Sequence, residues 1–139
     1  EIDRYFADPE NYVFNEAEFD ELCKVSHRPY TTGFYFQKPD ASSQVYTDSS
    51  YIRDYDLIAM VEDYNESTGI ATISQRNKFS VGEKIEVMRP MQPFFEMIVD
   101  AITDTDGNAM QSAPHAAQTL YIKLPQPACP GSMLRRKKA

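Results

Sequence analysis

Cys23 and His27 are the two side chains with nucleophile and base chemistry, and they stand four residues apart, which would place both on one face of a helix. A thiolate beside an imidazole is the pairing that thiol peptidases use, but the imidazole needs a third group to orient it, and none follows at a fixed offset. The simpler reading is an apolar thiol on a helix and a hydrogen-bonding histidine at its exit. Asp54 and Asp56 share a strand face, where carboxylates without an enclosing pocket stay ionised and solvated. Asp104, Asp106 and Asn108 have the spacing of calcium-loop oxygens, yet the remaining ligands and the terminal glutamate are missing. An Asp106-Gly107 turn explains the same residues. No serine motif or glycine-rich phosphate cradle is present, so no catalytic residue, metal or cofactor is expected, with an autonomous thiol peptidase as the alternative.

Recognition chemistry is better represented. Ser26 to Phe36 runs from polar to aromatic, with His27 and Arg28 at its polar end. Arg28 offers a planar cation for phosphate or carboxylate, or an ion pair with one of the many nearby acids. Arg76, Asn77 and Lys78 form a basic turn that suits phosphate contact or a solvated corner. Arg135, Arg136, Lys137 and Lys138 are four consecutive cations, expected as a basic tail at 135–139 that meets RNA phosphate, an acidic protein face or solvent.

The elements that must position these groups are read from pattern and composition. The chain has 139 residues, 42% of them hydrophobic, enough for one core. Nine Tyr and eight Phe with no Trp, and nine Pro against five Gly, favour short strands joined by rigid turns. The net charge of −7 argues against a general polyanion-binding surface. Two cysteines far apart give no metal spacing, and no apolar run reaches membrane-spanning length, so a cytoplasmic protein without membrane contact is expected.

Ile2, Tyr5 and Phe6 recur at helical spacing without a preceding cap, which reads as the end of a longer helix. Asn15 three residues before Glu18, flanked by Phe14 and Phe19, predicts a capped and stapled helix start. That helix would turn Phe19, Leu22 and Cys23 inward. Arg28 before Pro29 predicts an extended exit, and Tyr30 to Phe36 a strand bent at Gly33 with Phe34 and Phe36 inward. Residues 38–54, with isolated Val45, Tyr46, Tyr51 and Ile52, read as a long loop containing a short edge strand. Asp56–Tyr64 and Ile70–Gln75 form a predicted hairpin around Asn65–Gly69. Ile85–Met88, a single strand over Phe94–Ile102 that is central or covered, and Thr119–Leu124 follow. Met88 and Met91 around Arg89-Pro90 fit a docking surface or core filling equally. The sum predicts a mainly β protein, a small closed or distorted β-barrel with a short N-terminal helix.

Glu21-Leu22 with Lys24 to Phe36, then Arg76-Asn77-Lys78-Phe79, Gly82 to Val87 and Met133 to Arg136, strongly resemble the carboxy-terminal domain of bacterial peptidase family U32, the collagenase-like proteases. The resemblance implies a β-barrel similar to the second domain of translation elongation factors, placed after a large catalytic barrel. Residues 1–14 then correspond to the connecting segment from that catalytic domain, 15–134 to a helix plus β-barrel accessory domain, and 135–139 to the basic tail. It also implies a proteolytic role or, through relatives that hydroxylate the wobble uridine of transfer RNA using prephenate, a part in tRNA modification. The interaction patch it implies is His27, Arg28, Tyr30, Thr31, Thr32 and Gly33 with Arg76, Asn77 and Lys78, and the partners it implies are the catalytic domain of the same protein and a tRNA or protein substrate.

Overall fold

The computed structural model describes residues 1–36, 38–41 and 50–138. They form two compact units, Glu1–Asp54 and Tyr55–Ala139. The division between them at 54/55 leaves the capped helix in the first unit.

The first unit holds helix α1 (Ile2–Ala7) and helix α2 (Glu16–Cys23). The α2 start forms as its residues dictate: Asn15 Oδ1 accepts from the Ala17 amide at 3.1 Å, and the Phe14 and Phe19 rings lie 6.3 Å apart across the cap. Glu18 meets the Asn15 side-chain amide at 3.1 Å rather than its backbone. The inward face expected for α2 is not buried, since Phe19 and Leu22 are exposed and neither helix buries a residue. The strand expected over Tyr30–Phe36 is also replaced. Gly33 takes φ +52°, Tyr35 N–H donates to Thr32 O, and the chain turns so that Phe34, Tyr35 and Phe36 are all exposed. A left-handed residue in the middle of a short aromatic run ends the two-residue alternation on which an inward face depends. Of the residues named for an edge strand in the 38–54 loop, Val45 and Tyr46 lie outside the described residues, and Ile52 forms an isolated bridge with His27.

The second unit is mainly β. Its strands are β1 (Tyr55–Asn65), β2 (Ile70–Gln75), β3 (Phe79–Ser80), β4 (Lys84–Met88), β5 (Phe95–Ile98), β6 (Ile102–Thr103), β7 (Ala109–Met110), β8 (Ser112–Ala113), β9 (Thr119–Lys123) and β10 (Met133–Lys137). Eight form one curled, incompletely closed antiparallel sheet in the order β5-β4-β10-β1-β2-β9-β6-β7, and β3 pairs with β8. Two register shifts in β1, between Leu57 and Ala59 and between Val61 and Asp63, bend this eleven-residue strand. Ile58, Val61, Ile73, Phe79, Ile85, Val87, Val99, Ile102, Leu120, Ile122 and Leu134 fill the interior.

The β1–β2 hairpin is set by local chemistry. Asn65 Oδ1 accepts from the Ser67 and Thr68 amides and the Ser67 hydroxyl, and Gly69 takes φ +73°, where a side chain is disfavoured. Phe94–Ile102 is not one strand. It breaks into β5 and β6 at Val99–Ala101, with Ile102 buried and Ala101 exposed, and β5 ends the sheet order instead of lying centrally. The basic tail is corrected too: Met133–Lys137 is β10, paired between β1 and β4.

Candidate functional site

The first candidate group is built on the exit from α2. His27 and Ile52 exchange two backbone hydrogen bonds of 3.1 and 2.8 Å, an isolated antiparallel bridge that fixes the histidine. Its Nδ1 lies 2.8 Å from Val25 O, and since a carbonyl only accepts, Nδ1 carries a proton and donates it there. The ring stacks on Tyr30 at 4.7 Å and 7°, while Tyr30 meets Phe19 at 5.8 Å and donates to Leu22 O at 3.3 Å. Thr31 Oγ1 accepts from Gly33 N–H at 3.2 Å, and the Thr32 carbonyl holds the following turn. These five positions form one local cluster. No hydrogen bond joins Cys23 to His27 among the described residues.

Arg28 does not take the acid expected for it. Its guanidinium lies 5.0 Å from the Tyr51 ring, and Arg53 lies 5.6 Å from the same ring while donating to Ser26 Oγ at 3.1 Å. Two cations on one aromatic ring give an exposed surface suited to a planar anion.

Arg76, Asn77 and Lys78 belong to the second unit. The Arg76 and Asn77 amides both donate to Ile58 O, at 2.7 and 3.2 Å, and Asn77 Nδ2 donates to Leu57 O at 2.7 Å. Asn77 thus holds the turn, and the Arg76 and Lys78 side chains project to solvent. Behind the turn Gln75 is 1% exposed and donates to the Asn77 and Ala113 carbonyls.

The cations expected in the tail are mostly committed. Arg135 Nε and Nη2 donate to Glu86 Oε2 at 2.8 and 2.5 Å, between the rings of Tyr55 and Phe94. Arg136 bonds Glu83 and lies 3.5 Å from Asp56, whose other oxygen is 3.3 Å from Lys138. The Glu83 hydrogen bond holds the Arg136 proton more tightly than usual. Lys137, across from Tyr55, is exposed. Asp104 is likewise occupied, accepting from the Asp106 and Asn108 amides and the Asn108 side chain at 2.8–3.0 Å, bonds that leave it a turn residue.

A surface of Met88, Arg89, Pro90, Met91, Phe94 and Met133 encloses an apolar hollow of about 600 Å³. Arg89 shapes it by donating to the Pro93 and Pro127 carbonyls and lying over Phe95. Met91, wholly exposed at φ +56°, resolves the sequence ambiguity toward surface rather than core. Phe94 and Met133 were not readable as its partners, because 38 residues separate them and only the β4–β10 pairing brings that end of β10 beside Met88.

Comparison with known proteins follows this division. Residues 53–135 match the model of the peptidase family U32 C-terminal domain, close to the bounds of the second unit. The chain belongs to this family. It is 34% identical to tRNA hydroxylation protein P1 of Bacillus subtilis over 99% of its own length and 32% of that protein's. It is 28% identical to tRNA hydroxylation protein P of Escherichia coli over 81% of its length and 25% of that protein's. This U32 C-terminal chain therefore spans about a third or less of the curated relatives it matches. The crystal structure of the C-terminal domain of a Geobacillus thermoleovorans protein assigned to the U32 peptidases matches with a TM-score of 0.57 and 34% identity, covering 60% of this chain and 93% of that one. Among the described residues of the U32 chain no helix is long and apolar enough to cross a membrane, and no three His, Cys, Asp or Glu side chains group as metal ligands.

Proposed function

We propose that this chain is a non-catalytic accessory domain of a U32-family protein, which braces the catalytic part of the same polypeptide and orients a macromolecular substrate. The observation that carries this reading is the match to a C-terminal domain family in a chain that fills 32% of its Bacillus subtilis relative. The placement of Cys23 and His27 supports it, since His27 commits one ring nitrogen to Val25 O and stacks its ring on Tyr30. On this reading the curled sheet is a barrel left open, of the elongation-factor second-domain type, acting in the cytoplasm. The 139-residue chain alone is expected to turn over neither peptide nor tRNA, and Cys23→Ala in the full-length protein to keep its activity. Turnover by the chain alone that Cys23→Ala or His27→Ala abolishes would establish the thiol-peptidase alternative instead.

A second reading, direct tRNA contact, is favoured by the names of the relatives and by the cations left outside ion pairs. Arg76, Lys78 and Lys137 project from the second unit, and Arg28 and Arg53 flank Tyr51 in the first. Three phosphate contacts predict that log affinity falls with log salt at a slope of roughly −2 to −3. Arg76→Ala and Lys78→Ala are each expected to reduce that slope by about 1. Salt-independent binding, or none, rejects this reading.

A further inference from the structure

The two units differ in what holds them together. All seventeen core residues lie at or beyond Ile58, while fourteen of the twenty large apolar side chains exposed among the described residues precede Tyr55. A segment whose described residues bury no apolar side chain has little there to offset the entropy of its own ordering, and an apolar surface of this extent marks an interaction site.

Three observations point to one occupant. The Geobacillus C-terminal domain structures match 60% and 58% of this chain with 93% and 99% of their own length, so such domains crystallise without a counterpart to some two-fifths of it. The longer Bacillus subtilis relative, in contrast, matches 99% of the chain within 32% of its own length, and so carries a counterpart of the first unit in a polypeptide about three times as long as this chain. Charge narrows the choice further. Residues 1–54 hold eleven Asp and Glu against five Lys and Arg, which is −6 of the chain's −7. That surface repels phosphate backbones and anionic lipid, and complements a protein face with a basic rim.

We propose that Glu1–Asp54 is a docking segment whose aromatic side chains are buried against the larger, remaining part of the same polypeptide, with Phe34, Tyr35 and Phe36 as its anchors. The proposal rests on the accessory-domain reading and names the unit that makes the contact. The three anchors are 81%, 84% and 78% exposed and follow Gly33 on a hydrogen-bonded turn, with Tyr35 and Phe36 in edge contact at 5.2 Å. Rigid aromatic side chains presented together are what an interface centre uses, and loss of one such anchor weakens binding on the order of 30-fold.

Hydrogen exchange on the full-length protein and on the 139-residue chain tests this. Amides of residues 16–36 are expected to be protected in the full-length protein and to exchange rapidly in the shorter chain. Phe34→Ser with Phe36→Ser in the full-length protein is expected to cut that protection at least about 100-fold and leave β1, β2 and β9 unchanged. Equal protection of residues 16–36 in the two unaltered proteins overturns the proposal, whatever the double variant does. Protection that survives the double variant removes the anchors and overturns it as well. Neither result touches the accessory reading, which fails separately if the 139-residue chain is catalytic by itself.

Discussion

Replacing Arg135 with methionine distinguishes a structural strand from a free basic end. The Arg135 side chain is 6% exposed and that of Glu86 17%, and two N–H groups of the guanidinium meet one carboxylate oxygen. Unit charges about 4 Å apart attract by about 4 kcal/mol at an effective dielectric constant of about 20. Desolvation of both ions offsets most of that, so the intact pair contributes little net stability. Removing one partner is another matter. It takes the arginine away from a Glu86 carboxylate whose side chain is only 17% exposed, at about 3–5 kcal/mol, and removes a cation set 5.2 and 5.7 Å from two aromatic rings. Arg135→Met is therefore expected to lower the unfolding free energy by about 3 kcal/mol and the Tm by roughly 12–24 °C, read by circular dichroism in heat and urea. Adding Glu86→Leu should recover most of the loss, since the pair is then replaced by apolar groups. A solvated cation would change stability by less than about 0.5 kcal/mol. That outcome for the single variant, or a double variant no better than the single, refutes the reasoning.

Two further substitutions probe turns. The Asn108 side-chain amide, with the backbone amides of Asn108, Asp106 and Gly107, holds the Asp104 carboxyl below the ordinary aspartate value. A lowered folded-state pKa means that the contribution is complete above the unfolded value and is lost as pH falls through the folded one, so stability should drop on acidification below about pH 4. Asp104→Asn should flatten that part of the stability curve, and an unchanged acid slope would show that the carboxylate is not responsible. Met91 holds φ +56° with its side chain wholly in solvent, so Met91→Gly relieves about 1–2 kcal/mol of backbone strain against about 0.5–1 kcal/mol of added chain entropy. The expected gain is up to about 1 kcal/mol in urea unfolding, and a measurable loss would contradict it.

What the sequence made legible was local. The Asn15 cap, the Phe14–Phe19 staple, and the Asn65–Gly69 turn with β2 at Ile70–Gln75 each depend on groups within a few positions of one another. Inward-facing Ala71 and Ile73 followed from period-two alternation. The misreadings were non-local. Arg135 and Arg136 read as a solvated run because Glu86 and Glu83 are 49 and 53 residues away. Phe34 and Phe36 were turned inward on the premise that an aromatic run faces its own core, and the first unit buries none of them. The break at Val99–Ala101 carried a local signal in Asp100, a residue depleted in strands and favoured in turns, which a reading of apolar alternation alone passes over.

The same limit governs the candidate site. His27 to Gly33 came as a patch from the family resemblance, and its hydrogen bonds and ring contacts each span at most twelve residues, apart from a single bridge to Ile52. Whether Arg76, Asn77 and Lys78 belong with it was not legible, and they fall in the other compact unit. Charge gives that division a consequence. Removing residues 1–54 takes away eleven acids and five bases, so the second unit carries a net −1 with the exposed cations Arg76, Lys78 and Lys137. An overall acidity of −7 therefore weighs against RNA contact at the first unit far more than at the second. On the proposed reading the acidic, aromatic unit meets protein, and any phosphate contact is made by the nearly neutral β unit. The Arg76 and Lys78 salt slopes should then persist in a full-length protein whose docking aromatics have been replaced.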